Sequence, residues 1–368
     1  MSVTQRKLKV LVLFNYVEPE PDVTTEPTVA AAEAPSDEVE PAVTKLAPAL
    51  ETAQAVTQAL RDCEHRVWSF NLDDDIDRVG HAMVVHRPDV VVNLVDQMWG
   101  DTTQPSGVTR LVDLYGYPCV GADALTQATC QERARTRLML ADAGVPGPGF
   151  AIVRDINAIP ETHQLRVPLI VTQAYDDTYE IEGKNHPLHS REELVAYTTE
   201  LAAEYDMPLL IEEFHDGRHI HAVLTGNRVL DVQPLVERRK DEAGVEELVV
   251  AQLDIDDAGR IRDLAQRAFR AMSLRDFGMV DFVLTRTGEA YVIDVRPAPE
   301  LGAGMPAREV GNLSDVGFEG VLDKAVQAVV ARAKISLTIE RPAPPPAPDL
   351  PPPPPETEPA AEDPRTDA

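Results

Sequence analysis

The stretch GMVDFVLTRTGEAYVIDVRPAPELG, residues 278–302, constrains the fold more than any other segment of this chain. Two apolar runs flank TRTGE, whose glycine suits a tight reversal, so the segment reads as an antiparallel hairpin. In its second strand Asp294 and Arg296 stand two residues apart, and both side chains leave the same face. The prolines that follow stop the strand. A hairpin that delivers an acid and a guanidinium to one spot has the makings of a site.

The remaining apolar runs give this hairpin its surroundings. KLKVLVLF (7–14) is continuous, as in a buried parallel strand. A helix near 46–62, a strand at HRVWSF, a helix near 74–86 and a strand at DVVVNLV (89–95) follow. This alternation predicts a doubly wound parallel sheet, with GYPCVGAD as a further short strand and a helix over 124–143. Past residue 150 the rhythm changes. GFAIV, PLIVTQA, PLLIEEFH, HIHAVLTGN, RVLDVQPLV and the hairpin read as mostly antiparallel strands, with helices at 190–205, 256–273 and 318–334. The fold class expected is therefore α/β and α+β. Its parts are an N-terminal α/β domain (1–120), an α+β body (121–336) and a tail (337–368).

Two segments are excluded from any core. Residues 17–45 are rich in Pro, Glu, Ala and Thr and nearly lack aromatics, which predicts a disordered acidic insertion. The last 28 residues hold twelve of the 31 prolines and are expected as extended polyproline or disordered chain. Such a tail either docks in an aromatic groove of an unknown partner or serves as a spacer, and its acids suit the second reading.

Charge excludes further classes. The formal net charge is −28, and residues 17–48 carry eight acids against one lysine while residues 341–368 carry six acids against two arginines. The folded body is acidic as well. Such a chain is not built for nucleic acid or for an anionic membrane surface. No apolar run reaches the length of a membrane span. The start, KVLVLFNYV, reads as a strand and not as a secretory signal, which predicts a cytoplasmic protein. Cys63, Cys119 and Cys130 form no metal-type spacing and are expected as reduced thiols.

Other constellations are weaker. His219 and His221 share a strand face, with His215 before the turn, and His-x-His can begin a zinc site. With no third ligand at a supporting spacing, a polar edge face open to water is the expectation. Ser106 lacks the nucleophile-elbow context, and no phosphate-cradling Gly-rich loop of the Walker type occurs.

Taken in order, VVVNLVD, LYGYPCVGAD…GVPGPGF, PLLIEEFHDGR and the terminal hairpin resemble the D-alanine–D-alanine ligases of the ATP-grasp superfamily. The resemblance covers residues 7–15 and 46–335. It implies an ATP-grasp fold, two α+β subdomains gripping ATP, with ATP and Mg as cofactors and a small-molecule nucleotide as partner. It implies a carboxylate–amine ligation through an acyl phosphate, and by analogy a homodimer. The family's metal-ligand hairpin, Asp then Glu-x-Asn, falls on Asp281, Asp294 and Arg296. Asp281 and Asp294 are thus the implied metal ligands, while Arg296 replaces an oxygen donor with a cation that has no acceptor. The hinge acids fall on Glu212 and Glu213, implying contacts to adenine and ribose; the alternative is a buried strand ending in solvated acids. Thr172 and Gln173 stand where a phosphate lysine and its proline are expected. DDTYEIEG (176–183) stands where a small-residue phosphate flap is expected. The linker lysine region offers Arg133, Arg135 and Arg137 only. Met279 occupies the position of an arginine and His219 that of a glutamate. Between residues 46 and 323 the chain has two lysines, Lys184 and Lys240, at neither matching position.

Three functions stay open on this reading. The first is an ATP-grasp protein whose nucleotide and metal site is degenerate, with ligation impaired or lost. The second is a working ATP- and Mg-dependent carboxylate–amine ligase, with Arg133 or Arg137 on phosphate and Arg296 as the candidate catalytic group. The third is an adenine-nucleotide sensor built on Glu212 and Glu213. The nucleotide-binding residues are then Glu212, Glu213, Arg133 and Thr172.

Overall fold

A computed structural model describes residues 7–18, 47–175, 186–205, 207–240 and 244–336. The acidic insertion beyond residue 18, the flap stretch 176–183 and the tail from 337 lie outside the described residues.

The chain opens with β1 (Lys9–Phe14), α1 (Pro48–Asp62), β2 (Arg66–Asn71), α2 (Asp77–His86), β3 (Val90–Asn93) and α3 (Pro105–Leu114). The strands form a parallel sheet in the order β2-β1-β3. Five of the six residues of β1 are buried, so its continuous apolar run matches a strand covered on both faces. GYPCVGAD is not a strand of its own; it adds one parallel bridge, Val91 to Cys119. The expected helix 124–143 is two helices, α4 (Ala124–Gln131) and α5 (Arg133–Asp142), broken at Glu132 with ψ 90°. The reason is tertiary: the Arg133 N–H leaves the helix ladder and donates to Ala174 O at 3.0 Å, tying α5 to the next sheet.

That sheet contains β4 (Phe150–Val153), β5 (Leu169–Gln173) and, after α6 (Arg191–Glu204), β6 (Leu209–Glu213), in the order β4-β6-β5. Ser190 caps α6 by accepting from Glu193 N–H at 3.1 Å. The larger sheet follows: β7 (Gly217–Gly226), β8 (Leu230–Val232), β9 (Val236–Lys240), β10 (Glu246–Val250), then α7 (Ile255–Ala271), β11 (Asp276–Thr285) and β12 (Ala290–Arg296). Its order is β10-β9-β7-β11-β12, with β8 added to β7. The expected hairpin is β11–β12, and β9–β10 and α3 are elements the sequence reading passed over. The chain's described part ends in α8 (Pro306–Asn312) and α9 (Gly317–Ser336).

One face of β7 and β11 packs Ile220, Ala222, Leu224, Val280 and Phe282 against α7. The other joins Val223 and Met279 to α9 and to Val10, Val12 and Val92 of the parallel sheet, in one continuous core. Helix α9 is therefore the filling between two sheets. Arg332 on α9 fastens it by donating to Asp276 Oδ2 at 2.6 Å and to Cys119 O at 3.1 Å.

Candidate functional site

Two ionic clusters stand out, one on the small sheet and one on the large sheet. The first is centred on Glu212, in the middle strand β6. Alternation along β6 sends Leu209 and Ile211 to the α6 side and Leu210 and Glu212 to the α5 side. Glu212 is 0% exposed, yet it is not the solvated strand end that was one reading of EE. Arg133 and Arg137, four apart on α5 and so on one helix face, both reach it. Arg137 Nε donates to Glu212 Oε1 at 2.7 Å; Arg133 Nη2 and the Thr172 hydroxyl each stand 3.5 Å from Oε2. Burial alone would raise the Glu212 pKa, but Arg137, Arg133 and Thr172 hold it below the ordinary value. Arg137 does more. At a β-bulge Asp281 pairs with Asp294 but Phe282 with Val292, leaving Ile293 as the extra residue. Arg137 takes the displaced carbonyls, donating to Val292 O at 3.1 Å and Ile293 O at 2.6 Å. It thus joins α5, β6 and β12.

The second cluster lies on the hairpin itself. Cross-strand register places Asp281 beside His221 on one side and Asp294 on the other. His221 Nδ1 is 2.7 Å from Asp281 Oδ1, and Arg296 Nε donates to Asp281 Oδ2 at 3.1 Å and lies 3.2 Å from Asp294 Oδ2. Burial opposes the charge on Asp281, but His221 and Arg296 hold its pKa below the ordinary value. Desolvation works against the charged Arg296 too; Asp281, Asp294 and Glu300 outweigh it and raise its pKa. His221 corrects the expectation of an open edge face. β7 is a central strand, His221 is 8% exposed, and it bonds to Asp281. The register that makes it a partner is not visible in HIHAV.

The remaining hinge acid, Glu213, faces away from Glu212. It accepts from Arg166 N–H at 2.9 Å and Gly149 N–H at 3.4 Å, closing the loops around β4 and β5. His215 follows it and stacks on Tyr291 with ring centres 3.9 Å apart. Burial lowers the His215 pKa.

The residues implied for Mg do not fit it as they are arranged. An octahedral site needs oxygen donors at about 2.0–2.1 Å. Here one of the three positions is a guanidinium, and oxygens of both acids already face it. Among the described residues no group of three His, Cys, Asp or Glu side chains could hold a metal. The implied phosphate arginine, Arg133, is 4% exposed and directed at Glu212, and Thr172 is 1% exposed beside it.

Next to the second cluster lies a cavity of about 510 Å³. Its walls are the first turn of α1, the C-terminal end of β3 (Asn93–Asp96), α4, and the loop from Asp294 to Gly302. In the parallel sheet β1 is central, with β2 and β3 on opposite sides, so the cavity sits at the point where the winding direction reverses. The cavity is not visible in the sequence, because segments far apart in the chain build it.

Comparison with known proteins agrees with this architecture. Residues 183–305 match the family model described as D-ala D-ala ligase C-terminus. The chain is similar to an uncharacterized protein, y4sG, of Sinorhizobium fredii, at 25% identity over 298 residues, covering 74% of this chain and 87% of that one. It is 22% identical over 307 residues to the D-alanine–D-alanine ligase of Pelotomaculum thermopropionicum, covering 78% and 93%. Among solved structures, the D-alanine–D-alanine ligase of Bacillus anthracis complexed with ATP superposes with a TM-score of 0.68 at 14% identity, covering 89% of this chain and 99% of that one. The fold is ATP-grasp. Within that fold the chain is D-alanine–D-alanine ligase-like.

Proposed function

We propose that this protein is a ligase-like ATP-grasp scaffold whose nucleotide and metal positions are neutralised by internal ion pairs, so that ATP-driven ligation is impaired or lost. On this reading it acts by binding a small molecule in the cavity beside the hairpin. The observation that carries the reading is Arg296, which lies within 3.2 Å of oxygens of both Asp281 and Asp294. Phosphoryl transfer depends on positioned charge, and loss of a single stabilising group in such sites costs orders of magnitude in rate.

A second reading is a working ligase. The Bacillus anthracis protein, which shares the fold, is complexed with ATP, and this supports nucleotide binding here. The Arg296 side chain is 26% exposed and lines the cavity, so a turn toward phosphate would uncover both acids. Calorimetry with ATP, with and without Mg, and phosphate release on adding D-alanine separate the two. The proposal expects no Mg-dependent binding and no phosphate release. Mg-dependent ATP binding with D-alanine-dependent phosphate release would falsify it; nucleotide binding without release would point to a sensor.

A further inference from the structure

The edge strand β2 carries a row of rings and cations that neither ionic cluster uses. Arg66, Trp68 and Phe70 stand at alternate positions of β2, so they leave one face of the sheet. Residues of α2 lie against them. The His86 ring is 5.4 Å from Trp68 and 5.9 Å from Phe70, and the His81 ring is 6.3 Å from Phe70. Arg66 Cζ sits 4.7 Å over the Trp68 ring and Arg78 Cζ 5.3 Å over Phe70, both within cation–π range. Asp73 pairs with Arg78 at 3.2 Å, whereas Arg66 is exposed and makes no ion pair with any described residue. Burial, and then His81, lower the His86 pKa, so the arginines carry the charge near neutral pH. On its outer side β2 pairs with no strand among the described residues. In a chain of net charge −28 this stripe runs against the sign of the whole. Rings in a row accept the ridges of a polyproline helix, and arginines beside them favour a sequence with flanking acids.

The same chain contains such a sequence. PPPPP (351–355), outside the described residues, is preceded by Asp349 and followed by Glu356 and Glu358. Five residues of polyproline helix span about 16 Å, against roughly 13 Å along β2 from Arg66 to Phe70. Proline has no N–H to give to the free edge of β2, so such a run suits the ring face and not the sheet edge. The reach is sufficient. Helix α9 ends at Ser336, 13 residues past Asp323, which is about 20 Å of helix. Asp323 Oδ1 is 2.8 Å from His65 Nε2, and Trp68 follows His65 by three residues. With both side chains counted, Ser336 and Trp68 are no more than about 45 Å apart. The chain from Ser336 to Pro351 extends to about 50 Å.

We propose that the proline run of the C-terminal tail docks on this face of its own chain, with prolines against Trp68 and Phe70 and the flanking acids beside Arg66 and Arg78. The tether holds the tail at an effective concentration on the order of millimolar, so weak contacts suffice. The face shares no residue with the cavity or with either ionic cluster. Its occupation is therefore independent of whether nucleotide binds.

The test uses the full chain. It has two tryptophans, Trp68 and Trp99, so Trp99→Phe leaves Trp68 as the fluorescent reporter. Acrylamide quenching is compared between this chain and the same chain with prolines 351–355 changed to glycine, which keeps the length and charge of the tail. The glycine variant is expected to be quenched at least ~2-fold more strongly. Raising NaCl to about 0.5 M, or the double change Glu356→Gln, Glu358→Gln, is expected to give an intermediate value. A free peptide of residues 341–368 at about 1 mM is expected to restore protection in the glycine variant. Equal quenching in the two chains, protection insensitive to both salt and the glutamate changes, or no response to the peptide overturns the proposal. Protection that fades on dilution from about 50 to about 1 μM overturns it too, because the tail would then belong to a second copy.

Discussion

The two ionic clusters use the same residue types and differ in access to water. Around Glu212 all four members are at most 4% exposed, and Arg137 is committed to three acceptors on two strands. Around Asp281 the acid and His221 are buried but Arg296 is 26% exposed and borders the cavity. A buried pair is held because breaking it leaves a charge without water. A pair at a cavity rim has an alternative: its guanidinium can turn outward. The first cluster is thus a structural joint, and the second is the place where a ligand or metal could compete.

The largest expected effect tests the joint. Glu212→Gln leaves two buried guanidiniums facing a neutral amide and is expected to cost about 3–5 kcal/mol in urea denaturation. Because the folded pKa of Glu212 is lowered, its contribution is full above about 4.5 and is lost as pH falls through the lower folded value. The gap between wild type and variant should therefore shrink from pH 6 toward pH 3. A loss under about 1 kcal/mol, or a gap independent of pH, would erase the contrast between the clusters.

At the rim, Arg296→Asn restores an oxygen donor and leaves two acids side by side. We expect a loss of about 1–3 kcal/mol without metal, partly recovered in millimolar Mg, read as melting temperature. Recovery absent from the variant means that Arg296 is not what excludes the ion. The complementary change Thr172→Lys is unsuited to this purpose, because it would add a third cation beside Glu212 in a site without solvent.

The smallest effect marks the surface limit. Arg239 and Glu247 pair across β9–β10 at 2.6 Å, with side chains 52% and 39% exposed. Arg239→Ala should change stability by no more than about 1 kcal/mol, since exposed pairs are screened. A cost rivalling Glu212→Gln would show that burial is not what separates these interactions.

Much of the fold was legible. Continuous apolar runs marked β1 and β3, and two apolar runs about a Gly-bearing turn marked the β11–β12 hairpin, each within a residue or two. The split of α4 from α5 was not legible, because Glu132 is no helix breaker; the bond from Arg133 N–H to Ala174 makes the break. Nor was β9–β10, whose VERRK and EELVV alternate weakly. Of the site, Asp294 and Arg296 sharing a face followed from spacing alone. Arg137 was visible only as one arginine among three, and His221 only as a strand histidine, since their partners lie 75 and 60 residues away.

By itself the sequence determined the kinds of element and their order, and its family resemblance implied the replacements at Arg296 and Thr172. Those are local properties of side-chain period and chemistry. Only the tertiary structure decided what the replacements do. A guanidinium on a strand is solvated, a phosphate ligand or an internal counter-ion according to which carboxylate stands opposite it. That depends on strand register, on a one-residue bulge at Ile293, and on a C-terminal helix packed beneath the N-terminal sheet.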